Sequence, residues 1–149
     1  MSDAEYVLRF LTLNDRLAHF SGKLAHEMND FMEKHQQAKN AQVAKFASSF
    51  SRAVAACEQL WGENAFKRPE GNGWRDQLLA GMFDAQMLSV AKVPDAKLAQ
   101  VALKVDALIE GTRSLFDDPE FEKAVRTGTN TPARIKYRVE EVTKLLQSV

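Results

Sequence analysis

The sequence predicts an all-α fold, a single domain spanning residues 1–149 with six or seven helices packed as an irregular bundle. Three observations carry that prediction. Apolar residues recur at spacings of three and four along nearly the whole chain. No stretch shows the sustained period-two alternation of a half-buried strand. The last third is cut by explicit helix punctuation, Asp117-Asp118-Pro119-Glu120-Phe121 and then Gly128-Thr129-Asn130-Thr131-Pro132.

The first helix starts near Asp3 and presents Val7, Phe10 and Leu11, with Leu17 further along, until Ser21-Gly22 breaks the pattern. Tyr6 and Leu13 lie off that stripe, which predicts that something further covers this helix. A second helix puts Leu24, Met28, Phe31, Met32 and His35 on one face. The third gives the strongest periodic signal: Val43, Phe46, Phe50, Val54, Cys57 and Trp61 step by three and four, and Gly62 follows as a stop. From Glu63 to Gly73 the period is lost and Pro69, Gly71 and Gly73 enter, so this stretch reads as the longest loop, with Phe66 tucked back onto the core.

A fourth helix is expected from about Trp74 to Val90, with Leu78, Leu79, Met82, Phe83 and Met87 inward, ending before Pro94. Leu98, Val101, Val105, Leu108, Ile109 and Leu115 make one fifth helix in which Gly111 is an interior weak point and the place for a bend. Asp118 and Pro119 then open a sixth, short helix carrying Phe121 and Val125. Asp118 is placed to accept from its free amides, and Pro119 sits at the first helical position, where a missing N–H costs nothing. Gly128 supplies the stop. Thr131-Pro132 repeats the opening device for a seventh helix with Ile135, Val139, Val142 and Leu146 inward.

A chain of 149 residues can bury about 70% of the surface its unfolded form exposes, so neither a metal nor a disulfide is required for folding. Its 20 basic and 20 acidic residues cancel, which leaves no global field to attract nucleic acid or anionic membrane. One cysteine, Cys57, cannot form an internal bridge, and Met1-Ser2-Asp3-Ala4-Glu5 lacks the features of a secretory leader, so a cytoplasmic location is expected. The apolar runs fall well short of the ~20 residues that span a bilayer, so no membrane role is expected.

No catalytic or cofactor-binding motif emerges from the residues, and no cofactor, metal or enzymatic role is expected. His19, His26 and His35 all lie in the first quarter. His26 and Asp30 share a helical face, but the run His26-Glu27-Met28-Asn29-Asp30 is no HExxH zinc motif. A haem-binding globin is disfavoured because no histidine follows His35. Cys57, on an apolar stripe, reads as a buried thiol with a raised pKa rather than a nucleophile. Ser48, Ser49 and Ser51 lack a nucleophile elbow, and Gly71-Asn72-Gly73 lacks the lysine and strand of a phosphate loop. Asp117-Asp118 is explained by capping and Glu140-Glu141 by a solvated face. Lys67 and Arg68 follow Phe66 in the long loop, while Arg126, Arg134, Lys136 and Arg138 surround the Gly128–Pro132 turn, which allows local phosphate contacts, although Glu120, Glu122, Glu140 and Glu141 dilute the second cluster and favour solvated helix faces.

Several segments taken in order are more specific. They are Asp3-Ala4-Glu5-Tyr6-Val7-Leu8-Arg9-Phe10-Leu11, Asn29-Asp30-Phe31-Met32, Trp61-Gly62-Glu63-Asn64-Ala65-Phe66-Lys67-Arg68, Met82-Phe83-Asp84-Ala85, and finally Gly128-Thr129-Asn130 with Ile135-Lys136-Tyr137-Arg138-Val139. This series resembles the C-terminal helical half of the bacterial family whose N-terminal half is a ParB/sulfiredoxin-like domain, the family that includes the GmrS part of GmrSD-type restriction systems. The resemblance covers essentially the whole chain. Trp61 departs from it where phenylalanine is expected, and the loop from Glu70 to Trp74 matches poorly. In the family, nucleotide hydrolysis is attributed to the N-terminal domain, whose Asp-Gly-Gln-Gln-Arg-like motif has no counterpart in this sequence, so no catalytic residue carries over.

The resemblance implies a non-catalytic helical module of a restriction or phage-defence protein that packs on a ParB/sulfiredoxin-like catalytic domain, in cis or in trans. Partner or DNA contacts are expected through Arg9, Lys67, Arg68, Arg134 and Arg138. The resemblance implies that the chain begins where the family's helical half begins, as an excised half, the product of a truncated gene or a separate subunit would. The alternative is a stand-alone helical protein-interaction or nucleic-acid-binding protein, with a recognition helix opening near Ala133.

Overall fold

The computed structural model describes every residue except Gly128 and Thr129. Among the described residues there are eight α-helices: α1 (Asp3–Arg16), α2 (Leu24–Lys34), α3 (Asn40–Trp61), α4 (Ala80–Lys92), α5 (Asp95–Ala102), α6 (Val105–Leu115), α7 (Pro119–Arg126) and α8 (Pro132–Ser148). A two-residue antiparallel hairpin, β1 (Pro69–Glu70) and β2 (Gly73–Trp74), lies between α3 and α4. The all-α expectation holds, with eight helices in place of six or seven. None of them is long and apolar enough to cross a membrane.

The architecture is organised around α4. Every residue from Gly81 to Val90 is buried, so this helix is walled on all sides, chiefly by α8 and α3 and also by α1 and α7. Its buried polar residues, Asp84, Gln86 and Ser89, are each hydrogen-bonded inside the bundle, which lets the helix lie in the interior. Met82, Ala85, Met87, Leu88 and Val90 join Phe10, Leu13, Cys57, Leu60, Trp61, Leu108, Phe121, Ile135, Val139, Val142 and Leu146 in one contiguous core.

The helix ends follow from local chemistry. Ser2 and Glu5 form a reciprocal capping box at the start of α1, and Gly62, at φ +56°, ends α3. Asp118 accepts from the Glu120 amide at 2.9 Å with Pro119 in the first turn of α7. Pro132 opens α8 in the same way, but the Thr131 side chain makes no capping hydrogen bond. The chain has already left α7 at Thr127, and the expected stop at Gly128 lies outside the described residues.

Tertiary contacts override the periodic reading at several places. The fourth helix starts at Ala80, not Trp74. The Phe66 carbonyl accepts from the Leu79 amide at 2.9 Å, while Trp74 is held in β2 and carries the Arg113 guanidinium over its ring at 5.0 Å. Leu78 is accordingly exposed rather than inward. The expected fifth helix is two helices. The chain breaks at Leu103 and Lys104, where short-range bonds to Gln100 and Val101 close α5, and Gly111 lies inside α6. Met32 and Val43 are exposed, while His35 meets Phe31 at a tilt and Phe46 edge-on in an aromatic cluster. Leu13 is fully buried, so it needs no further cover.

The long loop is held to the core as expected. Phe66, at φ +65°, packs its ring 5.2 Å from Phe83, and its amide donates to the buried Gln86 Oε1 at 2.6 Å. Deeper in, Trp61 donates its indole N–H to Thr112 Oγ1 at 2.9 Å, and the Thr112 hydroxyl donates to the Leu108 carbonyl at 2.8 Å. Thr112→Val keeps the shape but leaves a buried indole N–H without an acceptor. It is expected to lower unfolding free energy by about 1–3 kcal/mol in urea titration, with Thr112→Ser close to wild type.

Candidate functional site

A buried charged centre occupies the junction of α1, α4 and α8. Asp84, on α4, receives a two-pronged contact from Arg9 of α1, with Nε to Oδ1 at 2.7 Å and Nη2 to Oδ2 at 2.6 Å. Arg138 of α8 donates its Nη2 to the same Oδ2 and its Nη1 to the Ala124 carbonyl at 2.6 Å. Arg9 also donates Nη1 to Asn130 Oδ1 at 3.2 Å. Arg9, Asp84 and Arg138 are all essentially without solvent exposure. Burial draws the Arg138 guanidinium below its ordinary value; the Asp84 carboxylate opposes this, and the nearby Arg9 charge adds to it.

This centre corrects the expected contact set. Arg9 and Arg138 were placed on a partner- or DNA-facing surface, yet both point into the core and are neutralised there by Asp84. In α8, Ile135, Arg138, Val139, Val142 and Leu146 face inward, and its exposed positions include Lys136, Glu140 and Lys144, a set of mixed charge.

Three of the five expected residues retain some surface, and each already has a partner. Lys67 Nζ lies 2.9 Å from Asp76 Oδ1. Arg68 Nη1 lies 3.3 Å from Glu122 Oε1, an oxygen that Arg126 Nη1 also meets at 2.9 Å. Arg134 donates to the Thr127 carbonyl at 2.6 Å, at the end of α7. The structure thus brings Arg68 and Arg134 to α7, where they serve its acidic face and its C-terminus.

Two open concavities flank the centre. One is an apolar groove of about 280 Å³ between α1, α3 and the loop, lined by Tyr6, Val7, Phe50, Val54, Phe66, Leu78 and Phe83, with Asp3 at its edge. The Tyr6 and Phe83 rings, both in its lining, meet at a tilt with centroids 4.7 Å apart. The other, about 410 Å³, lies between α1 and α2 and reaches down to Arg9 and Asn130.

The remaining candidates have structural roles. Cys57 is fully buried, and burial pushes its thiol well above the ordinary range. His26 Nε2 lies 3.3 Å from Asp30 Oδ2 on an exposed face. Among the described residues no group of three or more His, Cys, Asp or Glu could hold a metal. Tyr137 donates its hydroxyl to the capping carboxylate Asp118, which tethers α8 to the start of α7. That bond pushes the Tyr137 hydroxyl up from 10.0 to about 12, and it holds Asp118 below the ordinary carboxylate range.

The signs of these shifts give a pH prediction. The Tyr137 contribution is fully present below pH 10.0 and is lost as pH rises toward about 12. The Asp118 contribution is lost on the acid side, as pH falls through its depressed value. Tyr137→Phe is therefore expected to flatten the alkaline fall in stability, as measured by urea midpoints between neutral and alkaline pH.

No protein-family model, curated protein or solved structure matches the chain.

Proposed function

We propose that the chain is a non-catalytic helical module of a ParB/sulfiredoxin-like restriction or phage-defence protein, packing on a nucleotide-hydrolysing or nuclease partner domain. The observation that supports this reading is the meeting of four of the six segments through which the sequence resembles that family. Arg9 comes from the first segment, Asp84 from Met82–Ala85, Asn130 from the Gly128–Asn130 segment and Arg138 from the last, and all four residues join one hydrogen-bonded centre. Short segments that match by chance have no reason to converge in space. Segments that a helical half must retain in order to fold do have such a reason.

The surface assigned to the partner is the apolar groove around Tyr6, Val7 and Leu78, the last of which is 53% exposed. Contact with DNA, within this reading, falls to Lys67, Arg68 and Arg134 and is modest, since each is partnered.

The test is co-expression with a ParB/sulfiredoxin-like domain of the same family, followed by co-purification and nucleotide-hydrolysis assay. The expected result is a stable complex that Leu78→Asp weakens about tenfold or more without changing the melting temperature of this chain. Absence of a complex together with an unaltered hydrolysis rate overturns the reading.

A further inference from the structure

The groove between α1, α3 and the loop is walled largely by rings. Tyr6 of α1, Phe50 of α3, Phe66 of the long loop and Phe83 of α4 all line it. Tyr6 meets Phe83 at an interplanar angle of 59°, and Phe66 meets Phe83 at 59° as well, with centroids 4.7 Å and 5.2 Å apart. A tilt of this size leaves part of each ring face uncovered by its neighbour, so the rings make the walls of a cup and not a closed stack. The face of an aromatic ring carries the negative side of its quadrupole. A cup of several rings therefore attracts a cation more strongly than a neutral apolar group of the same shape.

The charge at the edge has the matching sign. Asp3 stands exposed there, three residues before Tyr6 on the same face of α1, and has no ion-pair partner among the described residues. No lysine, arginine or histidine is among the residues that line the groove. The shape selects between the two common side-chain cations. A planar guanidinium stacks flat on ring faces, whereas an ammonium is a compact point charge on a flexible four-carbon stem. No two of the rings here are parallel, which leaves no flat slot for a guanidinium. At about 280 Å³ the groove is just below the range of about 300–1,000 Å³ for whole small-ligand sites, a size for one side chain.

We propose that this groove receives a lysine side chain of the docked partner. The ammonium sits among Tyr6, Phe66 and Phe83 with Asp3 at the edge as its counter-charge, and the stem lies along Val7 and Val54. This rests on the reading of the groove as the docking surface, but the first arm of its test does not.

In the first arm the full chain alone is titrated, at constant ionic strength, with n-butylammonium chloride, which reproduces a lysine side chain, and with 1-butanol and n-propylguanidinium chloride. The readout is the ring-proton NMR signals of Tyr6 and Phe83. Butylammonium is expected to bind with a dissociation constant no weaker than about 10 mM and about fivefold or more tighter than the other two. Tyr6→Leu and Asp3→Asn, the former read at Phe83, are each expected to lower the ratio of ammonium to alcohol affinity about threefold. A variant that merely loosened the fold would weaken both ligands together and leave that ratio in place. Butanol or propylguanidinium binding as tightly as butylammonium overturns the proposal, and so does a ratio unchanged in both variants.

In the second arm butylammonium is added to the complex with the co-expressed ParB/sulfiredoxin-like domain. The expected result is displacement of that domain, with butanol at the same concentration leaving it bound. A complex that butylammonium leaves intact overturns the lysine and spares the docking reading. Absence of any complex overturns the family reading and with it the partner's lysine, while selectivity in the first arm would still assign the cup to a free organic ammonium ion.

Discussion

Replacing Asp84 with alanine is expected to lower the unfolding free energy by about 3–5 kcal/mol. The reason is not that an ion pair is strong. Bringing Arg9, Asp84 and Arg138 out of water costs several kcal/mol per ion, and their mutual attraction only repays that cost because the geometry is good. Removing this carboxylate leaves two guanidinium groups buried and close to each other without the anion they share. Asp84→Asn keeps the shape and an acceptor but not the charge, and it is expected to fall between alanine and wild type. The three-site variant Arg9→Met, Asp84→Leu, Arg138→Met removes the cost and the attraction together, and is expected to lie much nearer wild type than Asp84→Ala. Urea unfolding of the four proteins checks this. A three-site variant as unstable as Asp84→Ala would show that the loss comes from packing and not from uncompensated charge.

The same centre shows where sequence reasoning stops. The helices of the last third were legible because Asp118, Pro119 and Pro132 act on the backbone within one turn of themselves, and the structure puts helix starts at those places. The α3 stop at Gly62 and the return of Phe66 to the core were legible for the same reason, being local or carried by one large apolar side chain. Arg9 and Arg138 were misplaced because their charge argues for water and only a partner 75 or 54 residues away in sequence reverses that argument.

A signal did exist. Arg138 falls on the stripe of Ile135, Val139, Val142 and Leu146, and Asp84 is an acid within the otherwise apolar run from Leu79 to Ala85. A base on an apolar stripe and an acid in a mostly apolar run, taken together, point to a buried pair. Nothing comparable foretold the break between α5 and α6. The apolar period runs through it, and the residue with the poorest helix propensity, Gly111, lies inside α6 for a packing reason.

Gly111 and Gly81 give the second large prediction, because the two positions look alike in sequence and differ in what a methyl group would meet. In a helix interior, glycine to alanine gains about 1 kcal/mol from backbone entropy when space allows. At Gly111 the added Cβ would crowd Leu145 Cδ1, with Cδ2 and Cγ at 3.4 Å. That is the far end of a flexible side chain, which can change rotamer at a cost of the same order. Gly111→Ala is expected to lie within about 1 kcal/mol of wild type.

At Gly81 the added Cβ would run into the backbone of α7, lying 2.6 Å from Val125 Cα and 2.8 Å from its carbonyl carbon, with the carbonyl oxygen closer still. Backbone has no rotamer to change, so α4 and α7 must move apart. α7 is short, and Phe121 and Val125 are both buried in the core. Strain at or above the usual ceiling of about 3 kcal/mol for overpacking outweighs the gain in propensity. Gly81→Ala is therefore expected to destabilise by about 2 kcal/mol or more, and Gly81→Val by more again. Equal urea midpoints for Gly81→Ala and Gly111→Ala would mean that α7 does not approach α4 as closely as the structure places it. Loss confined to Gly81→Ala, with protection of α7 amides from hydrogen exchange reduced ahead of α8, would identify the α4–α7 contact as the place where the bundle first opens.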